Sequence, residues 1–235
     1  MSTDQKASFL LHYYRSQQKR YPSILWQGDG SRREIALTFD DGPHPKDTPQ
    51  VLEMLARREV YATFFLVGKY VEQYPHLVNQ IHRSGHQLGI HCYRHLPFPL
   101  ERPETLHDQL ESTKYAIAKA CDISPDTICH VRPPYGAFTK QTLSMLSKWD
   151  YHLVMWNSIP PHWMQPLNWT IKQILNDTIP GSVIVLHDGH GHGTKVAQIL
   201  DMIIPRLKKQ RFEFVTVDQM HPLESASSLA KPDHK

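Results

Sequence analysis

Cysteine is scarce: Cys92, Cys121 and Cys129 are the only three in 235 residues. None stands in a Cys-x-x-Cys pair, which disfavours a thiolate zinc site. A chain of this length buries enough surface to fold without disulfide staples, although one bridge among the three stays open. Long apolar runs are missing too. None approaches 18 residues, so no transmembrane helix is expected. Met1 to Lys6 has no hydrophobic signal core. The chain therefore reads as cytoplasmic as written, or as exported only where an export segment precedes it. Charge of one sign is also lacking: 26 Lys+Arg stand scattered against 23 Asp+Glu, with no basic block, which argues against a nucleic-acid partner. With 40% hydrophobic and 21% charged residues the chain is not disordered as a whole, and its length fits one domain. No sequence repeat and no HExxH occur, so neither a solenoid nor a helix-borne zinc protease is indicated. Oligomeric state leaves no mark in the sequence.

What the sequence has in excess is histidine, at 16 residues, and proline, at 18. Histidine is the commonest metal ligand and the natural acid or base near neutral pH, and the prolines point to many shaped loops. Seven short apolar segments read as strands: Ile35–Phe39, Ala62–Val67, Gln87–His91, Ile128–Arg132, Tyr151–Trp156, Ser182–Leu186 and Phe212–Val217. Several are near-continuous apolar runs, the pattern of strands buried on both faces. One-sided apolar stripes at steps of three and four lie between them. They are Leu52, Leu55 and Ala56 after Pro49; Leu77, Val78 and Ile81; Leu106, Leu110, Thr113, Ile117 and Cys121; Leu143 and Leu146; Ile171, Ile174 and Leu175; and Val196, Ile199, Leu200, Ile203 and Leu207. Pro205 predicts a kink or an early end in the last of these. The alternation gives an α/β fold of parallel βα units, either closed into a barrel or open as a doubly wound sheet. Residues 1–32 read as an N-terminal extension packing on this domain, with a short helix at Phe9–Tyr14 and an extended arm at Tyr21–Gly30. Residues 33–220 read as the α/β domain and 221–235 as a flexible tail.

The polar residues sort to the C-terminal ends of the strands, where α/β folds place their chemistry. The first strand runs into Asp40-Asp41-Gly42-Pro43, the third into His91 with His95 four residues on, the fourth into Arg132, the fifth into Asn157 and the sixth into His187-Asp188. His91 and His95 at i and i+4 fall on one side of a helical turn or a tight loop. A carboxylate from Asp40 or Asp41 would complete a zinc set with open positions. The other carboxylate would accept the proton of the attacking water. Chance spacing in a His-rich chain is the competing reading of the two histidines, and a turn is that of Asp-Asp-Gly. Arg132 beside the base would hold its carboxylate through a bidentate pair, and His187 can donate a proton to a leaving amine. A surface ion pair and a structural imidazole are their plain alternatives. The Gly-rich run that follows is loop-like and could also bind metal adventitiously, but His190 and His192 read mostly as exposed polar loop.

These residues carry a resemblance. Thr38-Phe39-Asp40-Asp41-Gly42-Pro43 resembles the first motif of the polysaccharide deacetylases, the NodB-homology or family 4 carbohydrate esterases. The segment Gly85–His95 resembles their second motif, Arg132-Pro133-Pro134-Tyr135-Gly136 their third and Leu186-His187-Asp188-Gly189 their fifth. The resemblance implies a distorted (β/α)7 barrel and a metal-dependent hydrolase removing N-acetyl groups from an amino-sugar glycan such as peptidoglycan or chitin. It implies Asp40 as general base and Asp41, His91 and His95 as ligands of one divalent ion, zinc above cobalt. It further implies Arg132 as the orienter of the base, His187 as general acid and the Tyr135 N–H as an oxyanion donor. Two departures stand out. Cys92 occupies a place where the family has Ser or Thr. In the fourth motif Ile159 and His162 stand where the family has aspartates, one of which supports the acid histidine; the expected result is a lowered His187 pKa. Trp156 and Trp163 in that segment read equally as walls of a sugar subsite or as core. A cyclic-amide hydrolase and a catalytically impaired carbohydrate-binding homologue are the alternative functions.

Overall fold

The computed structural model describes residues 16–222; the helix expected at Phe9–Tyr14 and the tail from residue 223 onward lie outside the described residues. All seven expected strands form: β1 (Glu34–Asp40), β2 (Thr63–Leu66), β3 (Gln87–Ile90), β4 (His130–Val131), β5 (His152–Leu153), β6 (Val183–His187) and β7 (Glu213–Phe214). Every pairing is parallel, in the order β5-β4-β3-β2-β1-β6, with β7 on the first two residues of β1. The sheet curls into the distorted (β/α)7 barrel without closing. Between β5 and β6 the gap is crossed by the single bridge Ser158–Ile184. β1 is buried along its whole length, because alternate residues face the barrel interior and the surrounding helices.

Three strands, β4, β5 and β7, are cut to two residues each, and each has a local cause. β4 stops before Pro133-Pro134, which offer no N–H to a ladder. Past β5, Met155 N–H turns to the carbonyl of Leu25 at 2.8 Å, so the N-terminal arm takes over the pairing. β7 ends because Thr216 caps a helix, its hydroxyl accepting from Gln219 N–H. The arm itself is irregular rather than extended, with Ile24 and Trp26 buried in the core.

The helices are α1 (Asp47–Arg58), α2 (Gly68–Gln73), α3 (Pro75–Arg83), α4 (Pro103–Cys121), α5 (Lys140–Lys148), α6 (Leu167–Asp177), α7 (Gly193–Lys209) and α8 (Val217–Met220). The stripes of α4 and α7 are buried as their spacing requires. On α1 the buried residues are Val51, Leu52 and Leu55, while Ala56 faces solvent, one position off the expected stripe. All three cysteines are free. Among the described residues no helix is long and apolar enough to cross a membrane.

Pro205 does not end α7, which runs on to Lys209. The proline deprives the Asp201 carbonyl of its helical N–H partner. Arg58 of α1 occupies that position: its Nη2 lies 3.4 Å from the Asp201 carbonyl while the same guanidinium pairs with the Asp201 carboxylate. The helix survives its proline because a neighbour supplies a donor at that turn.

One buried imidazole gives the fold an acid sensitivity. His86, preceding β3, accepts the Ala62 N–H at Nδ1 (3.3 Å) and packs against Phe64. Burial pushes its pKa down to about 4. A histidine depressed in the native state stabilises the fold above its unfolded value near 6.5, and that stability is lost as pH falls toward 4. Between pH 7 and pH 4.5 this linkage is worth about 2–3 kcal/mol. His86→Asn keeps an acceptor for Ala62 and removes the titration. Denaturant unfolding at both pH values should show a shallower acid loss in the variant by about that amount; equal losses would show that His86 does not carry it.

Candidate active site

The mouth of the barrel is built from strand ends. β1 delivers Asp40 as its last residue, and Asp41 follows at φ 76°, in the left-handed region. Asp tolerates this conformation better than most residues. The turn it makes brings two consecutive carboxylates to one opening, against the alternation of a strand. Asp40 and His187 are register partners on β1 and β6, so their side chains emerge side by side on one face.

Arg132 leaves the end of β4 and crosses the barrel floor. Its Nη1 donates to Asp40 Oδ1 at 2.8 Å and to Thr38 Oγ1 at 2.7 Å. Its Nη2 and Nε donate to the carbonyls of Met155 (3.1 Å) and Val154 (3.2 Å). The guanidinium lies 4.0 Å from the centroid of the Phe65 ring. It is wholly buried, yet every edge is met by an acceptor or an aromatic face, the condition under which a buried charge is tolerated. The contact to Asp40 is through one nitrogen rather than the bidentate pair expected; the other edge is committed to strand carbonyls.

His91 and His95 sit on the loop after β3, with Cys92 and His95 at φ 64° and 59°. The two rings stand 4.9 Å apart. His91 Nδ1 is 2.8 Å from the Arg132 carbonyl, which fixes Nδ1 as the donor and turns the Nε2 lone pair inward. The Cys92 thiol lies 3.4 Å from Gln109 Oε1 on α4, which also accepts the Arg94 N–H at 3.2 Å. Gln109 thus stitches the loop where the weak thiol donor does little.

Asp41 Oδ1 is buried without a hydrogen-bond partner, although Nε2 of His95 and of His91 stand 2.9 and 3.4 Å from it. Lone pairs converging on one point call for a positive charge between them. Burial would raise the Asp41 pKa, but the two imidazoles overrule it and hold the carboxyl well below the usual range. Burial likewise opposes charge on His91, yet Asp40 and Asp41 raise its pKa. Among the described residues Asp41, His91 and His95 are the one group of at least three that brings its ligand atoms within 4.8 Å of one another. One carboxylate and two imidazoles on a partly open face suit a divalent cation with exchangeable positions.

The curated and solved relatives agree with this geometry. The family model described as polysaccharide deacetylase matches residues 27–154, more than half of the chain. The chain belongs to the polysaccharide deacetylase family. It is 32% identical over 202 residues to a chitooligosaccharide deacetylase of Bradyrhizobium sp. (strain ANU 289), covering 80% of this chain and 91% of that one. It is 34% identical over 202 residues to a peptidoglycan-N-acetylglucosamine deacetylase of Bacillus cereus, covering 84% and 72%. A crystal structure of a peptidoglycan N-acetylglucosamine deacetylase, in complex with 4-naphthalen-1-yl-N-oxidanyl-benzamide, superposes with a TM-score of 0.80 at 30% identity, over 84% of this chain and 92% of that one.

In this family member the fourth-motif segment is rebuilt around an imidazole. His162 is fully buried, its ring stacked on His187 at 5.1 Å and 30°, with Nδ1 3.2 Å from the Pro160 carbonyl. Burial pushes its pKa down to about 3, so it is neutral at working pH. Trp163 meets His187 edge-on at 5.1 Å. The His187 pKa is lowered, first by burial and against the pull of Asp40 and Asp41. Asp188 does not stand in for the missing carboxylate. Its Oδ2 accepts the Thr48 hydroxyl at 2.5 Å beneath Gly42, and burial pushes its pKa up to about 7. Asn157 is also spent on structure, its side-chain oxygen accepting Val183 N–H at 2.9 Å. Trp156 is core, packed over Gly136, whereas Trp163 and Tyr135 are 41% and 69% exposed at the mouth. Tyr135 holds a left-handed backbone (φ 60°, ψ 11°) after two prolines, with its ring 4.9 Å from that of His95. His190, read from the sequence mostly as exposed loop, is indeed exposed, but its Nε2 lies 3.4 Å from Asp41 Oδ2.

Arg132→Met tests the floor of the site. Removing one partner of a buried pair strands the other charge, a loss of about 3–5 kcal/mol. Thermal unfolding should drop by roughly 6–20 °C in a chain of this size; a change within about 2 °C would show that Asp40 does not depend on the arginine.

Proposed function

We propose that this enzyme removes N-acetyl groups from an amino-sugar polymer of the peptidoglycan or chitin type, with zinc as its divalent ion. The observation that carries the reading is the buried, unpartnered Asp41 Oδ1 facing two imidazole nitrogens, beside a second carboxylate anchored by Arg132. The named activities of the relatives supply the substrate class. A divalent ion held by Asp41, His91 and His95 supplies Lewis acidity, lowering the pKa of water and polarising an amide oxygen. Asp40, free of that set and fixed by Arg132, accepts the proton of the attacking water. The Tyr135 N–H donates to the amide oxygen as charge develops on it. His187, on the strand beside Asp40, returns a proton to the departing amine, and acetate is released. Tyr135 and Trp163, exposed at the rim, offer apolar faces to a sugar chain. An exposed rim favours a polymer over a small cyclic amide.

Acetate release from N-acetylated glucosamine oligomers and from peptidoglycan, after zinc reconstitution, tests the reading. Asp40→Asn should reduce turnover by at least about 10²–10⁴-fold, the range for a general base, with zinc still bound at one equivalent. His95→Ala should lose the zinc. Near-normal turnover in Asp40→Asn, or full zinc in His95→Ala, would remove those assignments. Tight glycan binding with no acetate from any substrate would favour the impaired homologue.

The imidazole stacked on His187 makes a pH prediction. A His187 pKa lowered by burial leaves the acid mostly unprotonated at neutral pH, so turnover should rise as pH falls below neutral. His162→Asp places a carboxylate beside the ring and should move this limb to higher pH. An unchanged profile would show that His187 is not the acid being titrated.

A further inference from the structure

The loop between β6 and α7 reads in sequence as exposed filler, yet it is fastened against the metal-binding cluster. At one end Gly189 lies so close to Asp41 that a Cβ there would sit 3.0 Å from the Asp41 carbonyl oxygen and 3.1 Å from its Cβ. At the other, Gly193 abuts Asp47 of α1, where a Cβ would lie 2.4 Å from the Asp47 Cα. Between them Gly191 N–H donates to Asp47 Oδ2 at 2.6 Å. Asp47 is buried and has His44 Nδ1 at 3.1 Å on the same oxygen. His190 and Gly191 take left-handed backbones (φ 61° and 80°), which fold the short span back on itself. The result is that the His190 imidazole, 59% exposed, reaches over the mouth with Nε2 3.4 Å from Asp41 Oδ2.

The two oxygens of Asp41 thus have different company. Oδ1 faces His91 and His95; Oδ2 faces His190. A metal-binding carboxylate whose outer oxygen is held by a donor cannot rotate to present both oxygens to the ion, and such outer partners raise metal affinity about 10–100-fold. We propose that His190 is a positioning residue for the metal site: its Nε2–H holds Asp41 Oδ2 so that Oδ1 alone is offered to the ion. The role rests on the reading of Asp41, His91 and His95 as the ligands. It ties the site to the Gly-rich loop, with Asp47 as its anchor.

The test is cobalt affinity by chelator competition on the full chain, with His190→Ala, His190→Gln, His192→Ala and His95→Ala compared with the wild type. His190→Ala should bind Co²⁺ about 10–100-fold more weakly. His190→Gln, which keeps an N–H donor, should recover most of the loss. His192→Ala, on the same loop without contact to Asp41, should bind as the wild type does. The Co²⁺ absorption of the saturated His190→Ala protein should match the wild type, because His190 adds no bond to the ion. Wild-type affinity in His190→Ala, an equal loss in His192→Ala, or a changed spectrum at saturation would each overturn the proposal. His95→Ala separates the two failures. If it abolishes binding while His190→Ala does not weaken it, the ligand set stands and the positioning role falls; if it leaves binding intact, the ligand set itself is wrong.

Discussion

The site depends on one buried guanidinium. Arg132 spans the floor of the curled sheet, from the end of β4 to β1, joining Thr38 and Asp40 to the carbonyls of Val154 and Met155. A charge so placed in an apolar interior is tolerated only because each of these partners is present. The consequence is rigidity where chemistry needs it. Asp40 is pinned, the carbonyl of Arg132 itself orients His91, and the loop carrying His95 follows. Asp40, His91 and the curvature of the sheet therefore share a single anchor.

Much of this was legible in the sequence, and for physical reasons. Strands buried on both faces leave near-continuous apolar runs, as at β1, β2 and β6, and the regular alternation with helical stripes located the weaker ones between them. Polar residues at the ends of such runs are costly unless something uses them, so Asp40, Asp41, His91, Arg132 and His187 could be picked out. Helix spacing located the α4 and α7 stripes to the residue. The failures lie where a local rule was overridden by a distant contact. Pro205 should break α7, and Arg58 offers a donor at the exposed carbonyl from 143 residues away. β5 should run to Trp156, and Leu25 of the arm takes its place in the ladder. The strand pattern alone left barrel and open sheet undecided, because only the bridge Ser158–Ile184 crosses the gap between β5 and β6; it was the motif resemblance that pointed to the distorted barrel. His190 read mostly as exposed loop because a histidine in a Gly-rich run carries no pattern that singles it out. The close packing of Gly189 on Asp41, the feature that gives it meaning, is visible only in three dimensions.

The departures from the family pattern fall into two kinds. At Cys92 the change is absorbed: Gln109 binds the loop through the Arg94 amide, and the thiol fills the remaining space. At His162 the change is chemical. A neutral imidazole face replaces a carboxylate beside His187, and burial lowers the basicity of both rings. In the proposed mechanism this change would act on when His187 holds its proton, not on where it delivers it.

The account stands or falls on where a cation sits. Anomalous scattering at the zinc edge, from crystals of the protein grown with zinc, addresses that directly. The predicted result is one strong peak about 2.0–2.2 Å from Asp41 Oδ1 and from Nε2 of His91 and His95, with Asp40 outside the coordination shell. A fully loaded crystal with no peak among those three atoms, or with Asp40 as a ligand in place of Asp41, would contradict it.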